Sequence, residues 1–145
     1  MGQNETISKS SAATVSLAKR SCKVPILLID EEPAILTTFQ LALRKSGYDV
    51  TTEKSGAAAL ELAATRSFEA IILDSKLMDM DGVEFISQLR ALKVDAPILM
   101  VSASPAKKAL KHFIDDDSVN YVEKPLEPDT LRNAVKNLLG QGVPA

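Results

Sequence analysis

Between residues 24 and 139, five short apolar segments alternate with longer segments of helical periodicity. The short apolar runs are typical of strands, and one helical segment separates most of them from the next. A strand that returns to the same sheet through a helix runs parallel to its predecessor, and such a sheet is covered by helices on both faces. The alternation therefore predicts an α/β fold with strands at 24–29, 48–53, 70–73, 97–101 and 119–123.

The helical segments carry their own start and stop signals. Pro33 suits the first turn of a helix, and Gly47 suits its end. In the last segment, apolar residues recur at i, i+3, i+4, i+7 and i+8 from Leu131. Helices are predicted from 33 to the glycine at 47, and at 57–66, 83–92, 106–114 and 129–139. Right-handed crossovers favour the strand order 2-1-3-4-5, a doubly wound, flavodoxin-like sandwich of three layers.

Composition excludes several classes of function. With 145 residues, 46% apolar and 25% charged, the chain has the make-up of one soluble globular domain. A net charge of -2 and 4% aromatic residues argue against direct binding of nucleic acid. One cysteine, Cys22, and one histidine, His112, exclude a disulfide framework and a Cys- or His-rich metal site. No apolar stretch suits a membrane span, so we expect a cytoplasmic protein without membrane contact.

The domain organisation follows from the same periodicity. Residues 1–22 lack sustained apolar periodicity and are predicted to be a flexible tail. A single domain is expected at 23–140, with a short tail at 141–145. Patterns for myristoylation and glycosylation near the N-terminus occur often by chance, and we discount them. An output domain is therefore expected in another protein or outside this sequence.

Polar residues follow four of the predicted strands at their carboxyl ends. Asp30 and Glu31 follow the first strand, Asp74 the third, Ser102 the fourth and Lys124 the fifth. Ligands bind at this edge of a doubly wound sheet. Carboxylates from two strands repel each other there, and a hard cation such as Mg²⁺ relieves that repulsion. A lysine and a hydroxyl beside them suit a phosphoryl group that is being transferred.

Each of these residues also has a simpler explanation when it is taken alone. The carboxylates suit a strand end or a helix N-terminus, the serine suits a helix cap, and the lysine suits a surface turn. Only their joint occurrence, in order and at consecutive strand ends, favours a site. Other aspartates, at Asp79, Asp81 and 115–117, are expected in turns and exposed loops. His112 is expected on a partly exposed helix.

Four short motifs surround the candidate residues. They are Ile26-Leu27-Leu28-Ile29-Asp30-Glu31-Glu32-Pro33, Ile71-Ile72-Leu73-Asp74 followed by Met80-Asp81-Gly82, Pro97-Ile98-Leu99-Met100-Val101-Ser102-Ala103 and Tyr121-Val122-Glu123-Lys124-Pro125. In order and spacing they resemble the receiver domain of bacterial two-component response regulators, the CheY-like superfamily. One such motif would be weak, whereas the four together are specific, and the resemblance as a whole covers roughly residues 24–139.

The resemblance implies that Asp74 accepts a phosphoryl group. The donor would be a phosphohistidine on a sensor histidine kinase or a histidine phosphotransfer protein. By the same resemblance, Mg²⁺ would be held by Asp30, Glu31, Asp74 and the backbone carbonyl of Lys76. Lys124 would pair with the phosphoryl oxygens. Such a domain catalyses only its own phosphorylation and dephosphorylation, so we do not expect an enzyme in the wider sense.

The resemblance also implies how the domain signals. Ser102 would hydrogen-bond a phosphoryl oxygen, and Tyr121 would then turn inward. The surface of the fourth predicted helix, the fifth strand and the last helix would change, and a downstream protein or a second copy of the chain would recognise it. Lys76 and Ser104 would flank the water that hydrolyses the acyl phosphate. Neither side chain suits the orientation of that water, so we expect slow self-dephosphorylation.

The chain departs from the family pattern at a few positions. Glu31 stands where an aspartate is more usual, Met78 where a proline is usual, and Asp79 where a small residue is usual. The loop after Asp74 is therefore expected to be less rigid. Residues 113–117 replace an Ala- or Gly-rich helix end, so the fourth helix is expected to finish differently. None of these changes removes a residue that the chemistry requires.

Two other functions are open at this point. The same fold could serve as an interaction module that does not depend on phosphorylation, with a purely structural acidic pocket. An enzyme is the other alternative, either a flavodoxin or a phosphatase with an aspartyl nucleophile. The chain lacks the hydroxyl- and glycine-rich loop of a flavodoxin, and it lacks the second aspartate that such a phosphatase requires. It also has no glycine-rich nucleotide loop.

Overall fold

Five parallel strands form one sheet in the computed structural model of the chain, which describes residues 23–102 and 118–140. The strands are β1 (Val24–Ile29), β2 (Tyr48–Glu53), β3 (Ala70–Asp74), β4 (Ile98–Ser102) and β5 (Val119–Glu123). The helices within the described residues are α1 (Pro33–Lys45), α2 (Gly56–Thr65), α3 (Gly82–Ala91) and α4 (Pro128–Gly140). The predicted helix at 106–114 and both predicted tails lie outside the described residues. None of the described helices is long and apolar enough to cross a membrane.

The strand order β2-β1-β3-β4-β5 confirms the predicted topology. All four neighbouring pairs of strands are parallel. β1, β2 and β5 have the predicted bounds, whereas β3 extends one residue further, to Asp74, and β4 runs from Ile98 to Ser102. Asp74 pairs with Val101 and Ser102 pairs with Glu123, so both candidate residues are the last members of their strands.

Helix ends differ from the sequence prediction by about one residue, and at the starts of α2 and α3 a side-chain cap marks the first residue. Ser55 Oγ accepts a hydrogen bond from the Ala58 N–H at 3.1 Å, so α2 begins at Gly56 rather than at 57. Asp81 caps α3 in the same way, although the sequence alone assigns it only to a turn. The end of α1 is as predicted, because Gly47 follows it with a φ of 94°.

The central strands β1, β3 and β4 are buried on both faces of the sheet. One face, the α2–α3 face, packs against α2 and α3, and the other, the α1–α4 face, packs against α1 and α4. The residues predicted to point inward from α3 are fully buried, namely Phe85, Ile86 and Leu89. Those of α4 are buried at Leu131, Val135 and Leu138, and half-buried at Ala134 and Leu139. Because these layers restrain β1, β3 and β4, the residues at their carboxyl ends are held in place.

The loop between β3 and α3 is anchored to the first turn of α2. Both carboxylate oxygens of Asp79 accept backbone hydrogen bonds at 2.9 Å, one from the Gly56 N–H and one from the Ala57 N–H. The side chain of Met80 lies so close to Gly56 that a Cβ there would be 2.7 Å from Met80 Cγ. Met78 itself is 87% exposed. The anchor therefore comes from Asp79 and Met80, whereas the sequence alone suggests a looser loop.

The two N–H groups of α2 lower the pKa of Asp79 below its usual value. A carboxyl group with a lowered pKa stabilises the fold above its unfolded-state pKa, and this contribution is lost as the pH falls through the folded-state pKa. We expect Asp79→Ala to lower the free energy of unfolding at pH 7 by about 1 kcal/mol, a typical value for a lost cap. The difference from the wild type should shrink below about pH 4.

Urea unfolding at several pH values measures this effect. Asp95→Ala is the matched control, because Asp95 is an exposed loop carboxylate for which the structure records no hydrogen bond with another described residue. We expect the control to leave stability nearly unchanged. Equal losses in the two variants across the pH range would contradict the anchoring role of Asp79.

Candidate functional site

The ends of β1, β3 and β5 bring two carboxylates to one ammonium group. Lys124 Nζ lies 3.5 Å from Asp30 Oδ2 and 3.4 Å from Asp74 Oδ1. Asp30 and Lys124 each follow a strand by one residue, and their backbones continue the sheet: the Asp30 N–H donates to Glu53 O at 3.1 Å, and the Lys124 N–H donates to Ser102 O at 2.8 Å. We call these three side chains, Asp30, Asp74 and Lys124, the acidic cluster.

Burial strengthens the electrostatic interactions in the acidic cluster. Asp30 is only 3% exposed. Burial and then the neighbouring Asp30 carboxylate raise the pKa of Asp74, and the Lys124 ammonium only partly opposes them. Burial disfavours the ammonium form of Lys124, but the two carboxylates outweigh it and raise the pKa of Lys124 above its usual value. Lys124 is therefore protonated at neutral pH, and repulsion between the carboxylates persists.

The oxygen donors of the acidic cluster fit a hard divalent cation. Mg²⁺ is commonly bound by one or two carboxylates and several waters. Asp30 Oδ1 is oriented by the Glu32 N–H at 3.0 Å, and the Lys76 N–H lies 3.5 Å from Asp74 Oδ1. Among residues 23–102 and 118–140, no three His, Cys, Asp or Glu side chains come close enough to hold a metal by themselves. Glu31 is exposed, and its role as a metal ligand stays a prediction.

Side chains at the strand ends divide between the two faces of the sheet. Because side chains alternate along a strand, Asp74 lies on the α1–α4 face and Ser75 on the α2–α3 face. Tyr121 is half-buried against the core of the α2–α3 face, and its partner in β4 is Met100. Ser102 is two residues beyond Met100 and therefore lies on that same face. The same alternation places the rest of the acidic cluster on the α1–α4 face.

Two serine hydroxyls meet next to the acidic cluster. Ser75 Oγ donates a hydrogen bond to Ser102 Oγ over 2.8 Å. Ser102 is buried, at 1% exposure, and Ser75 is half-buried. Ser75 is not among the site residues that the sequence motifs predict. Counting the parallel register one residue beyond the Asp74–Val101 pair places Ser75 opposite Ser102, which is the signal that could have found it.

The remaining candidate residues are less well defined by the structure. The Lys76 side chain is exposed, and its backbone forms an isolated bridge with Asp81. A metal ligand at the Lys76 carbonyl stays a prediction. Ser104, His112 and Cys22 lie outside the described residues.

Comparison with known proteins identifies the family. The family model for the response regulator receiver domain matches residues 26–136. PhoP of Bacillus subtilis, the alkaline phosphatase synthesis transcriptional regulatory protein, is 37% identical over 114 residues, which are 79% of this chain and 48% of PhoP. The transcriptional regulatory protein KdpE of Mycobacterium tuberculosis is 36% identical over 115 residues, 77% of this chain and 50% of KdpE. The chain thus spans about half the length of these two relatives.

Solved structures agree with the fold. A response regulator receiver protein from Sinorhizobium medicae is 28% identical, with a TM-score of 0.73, and the match covers 83% of this chain and 98% of that one. A CheY-like receiver domain from Methanospirillum hungatei shares the fold at 24% identity, with a TM-score of 0.76 over 82% of this chain and 95% of that one. The sequence, the topology and the family match lead to one conclusion: this chain belongs to the response regulator receiver domain family.

Proposed function

We propose that the chain accepts a phosphoryl group on Asp74 from a phosphohistidine of a sensor histidine kinase or a histidine phosphotransfer protein. The observation that carries this proposal is the acidic cluster, in which a protonated lysine lies 3.4 Å from the Asp74 carboxylate at the edge of the sheet. One Asp74 oxygen attacks phosphorus, and the P–N bond breaks with its electron pair on the imidazole nitrogen. The product is an acyl phosphate on Asp74.

Lys124 and Asp30 have different roles in this proposal. The Lys124 ammonium pairs with phosphoryl oxygens, where negative charge accumulates during the transfer. Asp30 and Asp74 are the carboxylates that would hold Mg²⁺, together with the Lys76 carbonyl and with Glu31 through water or directly. The metal would neutralise charge on the phosphoryl oxygens. The exposure of Glu31 favours Asp30 as the more important of the two neighbouring acids.

Phosphorylation would change the protein surface through movements of Ser102 and Tyr121. After the transfer, the Ser102 hydroxyl donates to a phosphoryl oxygen, and Tyr121, half-buried against the α2–α3 face, follows inward. We infer that a downstream protein, or a second copy of the chain, recognises the surface that changes. PhoP and KdpE are transcriptional regulators by name. For this segment we propose no direct contact with nucleic acid, and we propose a cytoplasmic location.

Asp74→Asn tests the proposed nucleophile. Asparagine keeps the size of the side chain and removes a charge that burial disfavours, so we expect the fold to persist and phosphoryl uptake to be lost. Mass spectrometry after incubation with acetyl phosphate and Mg²⁺ should show one added phosphoryl group in the wild type and none in the variant. Slow loss of the label from the wild type would agree with the expected roles of Lys76 and Ser104.

Asp95→Asn is the matched control and should be labelled like the wild type, because Asp95 is an exposed residue in the loop between α3 and β4. Labelling of Asp74→Asn at the wild-type level would show that another group is the nucleophile. A wild-type protein that takes up no phosphoryl group would instead favour the phosphorylation-independent interaction module.

Mg²⁺ should stabilise the protein through the acidic cluster. A ligand that binds only the folded state adds RT ln(1 + [L]/Kd), which is about 1.4 kcal/mol at ten times the Kd. We expect Asp30→Ala to abolish this gain and Glu31→Ala to weaken it only slightly, because Asp30 is buried in the cluster and Glu31 is exposed. Chemical unfolding at increasing Mg²⁺ concentration measures both variants. An undiminished gain in Asp30→Ala would rule out Asp30 as a ligand.

A further inference from the structure

We propose that Ser75 is a positioning residue that restrains the hydroxyl of Ser102 until Asp74 is phosphorylated. The hydrogen bond from Ser75 Oγ to Ser102 Oγ, at 2.8 Å, carries this inference. The inference rests on the proposed function, because the restraint has an effect only if Ser102 turns toward a phosphoryl group on Asp74. It adds a residue that sets how readily the domain switches.

The backbone of Ser75 is held on both sides. Its N–H donates to Val101 O at 2.9 Å, which continues the ladder between β3 and β4. Its carbonyl accepts from the Gly82 N–H at 2.7 Å. Gly82 also packs closely here, because a Cβ at that position would lie 3.2 Å from Ser75 Cα. The Ser75 hydroxyl is therefore presented to Ser102 by a fixed backbone rather than by a free loop.

The geometry of the two faces makes this hydrogen bond a restraint. Ser75 and Ser102 lie on the α2–α3 face, whereas Asp74 lies on the α1–α4 face. Ser102 Oγ accepts the hydrogen bond from Ser75, so the restraint acts on the position of that oxygen and not on its proton. To reach a phosphoryl oxygen on Asp74, Ser102 Oγ must turn from the α2–α3 face toward the α1–α4 face. The hydrogen bond between the serines is lost in that turn, so it favours the unphosphorylated arrangement. Tyr121 packs on the face that Ser102 leaves, so the same bond biases the position of the aromatic ring.

Ser75→Ala should make the switch easier. We expect the variant to bind trifluoroberyllate, a phosphoryl analogue, about fivefold more tightly than the wild type at saturating Mg²⁺, which corresponds to about 1 kcal/mol. Ser75→Thr retains a hydroxyl and should return to the wild-type affinity. Ser87→Ala is the matched control, because Ser87 is an exposed serine of α3, and it should have no effect.

Two further readouts separate a restraint from a general structural effect. The Mg²⁺ affinity measured without the analogue reports the integrity of the acidic cluster, and a distorted site would change it together with the analogue affinity. In a Ser102→Ala background, the fivefold effect of Ser75→Ala should disappear, because the restrained hydroxyl is absent. The restraint is thus tested as a coupling between two named side chains.

The outcomes distinguish this inference from the proposed function. An unchanged or weaker analogue affinity in Ser75→Ala, with normal binding by the wild type, overturns the restraint and leaves phosphoryl acceptance intact. If Ser75→Ala raises the analogue affinity equally with Ser102 present and in the Ser102→Ala background, the restraint is also overturned. A wild-type protein that binds neither the analogue nor a phosphoryl group overturns the proposed function and the restraint together.

Discussion

Two carboxylates share a single ammonium group at the edge of this sheet, and the properties of the site depend on that imbalance. One positive charge cannot offset two negative charges at distances of 3.4 and 3.5 Å, and burial strengthens the residual repulsion. Burial, and then this repulsion from Asp30, raise the pKa of Asp74. In the proposed reaction, this residual charge would attract a hard cation and oppose an approaching phosphoryl anion, so a bound cation would favour the transfer.

Most of the fold could be predicted from the sequence, because burial on both faces leaves short, continuous apolar runs. β1 is such a run, and the prediction matched its bounds. The starts of α2 and α3 were each predicted one residue too late, because the side-chain caps Ser55 and Asp81 set them rather than the apolar periodicity. Asp79 shows the same limit: it caps a helix 22 residues earlier in the chain, and no local pattern indicates that contact.

The candidate site was predictable to the extent that strand ends define it. Asp30, Asp74 and Lys124 come together because parallel strands deliver their carboxyl ends to one edge. Glu31 follows Asp30 directly and is exposed in the structure, and its role as a metal ligand stays a prediction. Ser75, in contrast, was not predicted as a site residue. Its contact with Ser102 depends on the register between β3 and β4, which a list of single residues does not contain.

The alternation of side chains along the strands has a consequence for how a signal would cross this domain. The charged groups lie on the α1–α4 face, while the two hydroxyls and Tyr121 lie on the α2–α3 face. In the proposed function, the sheet would therefore separate the groups that receive the phosphoryl group from the side chains that would transmit the change. The central strands are buried on both sides, which leaves little room for backbone motion. The change on one face would therefore reach the other face at the carboxyl-terminal edge of the sheet, by rotation of the Ser102 hydroxyl, rather than by movement of the strands.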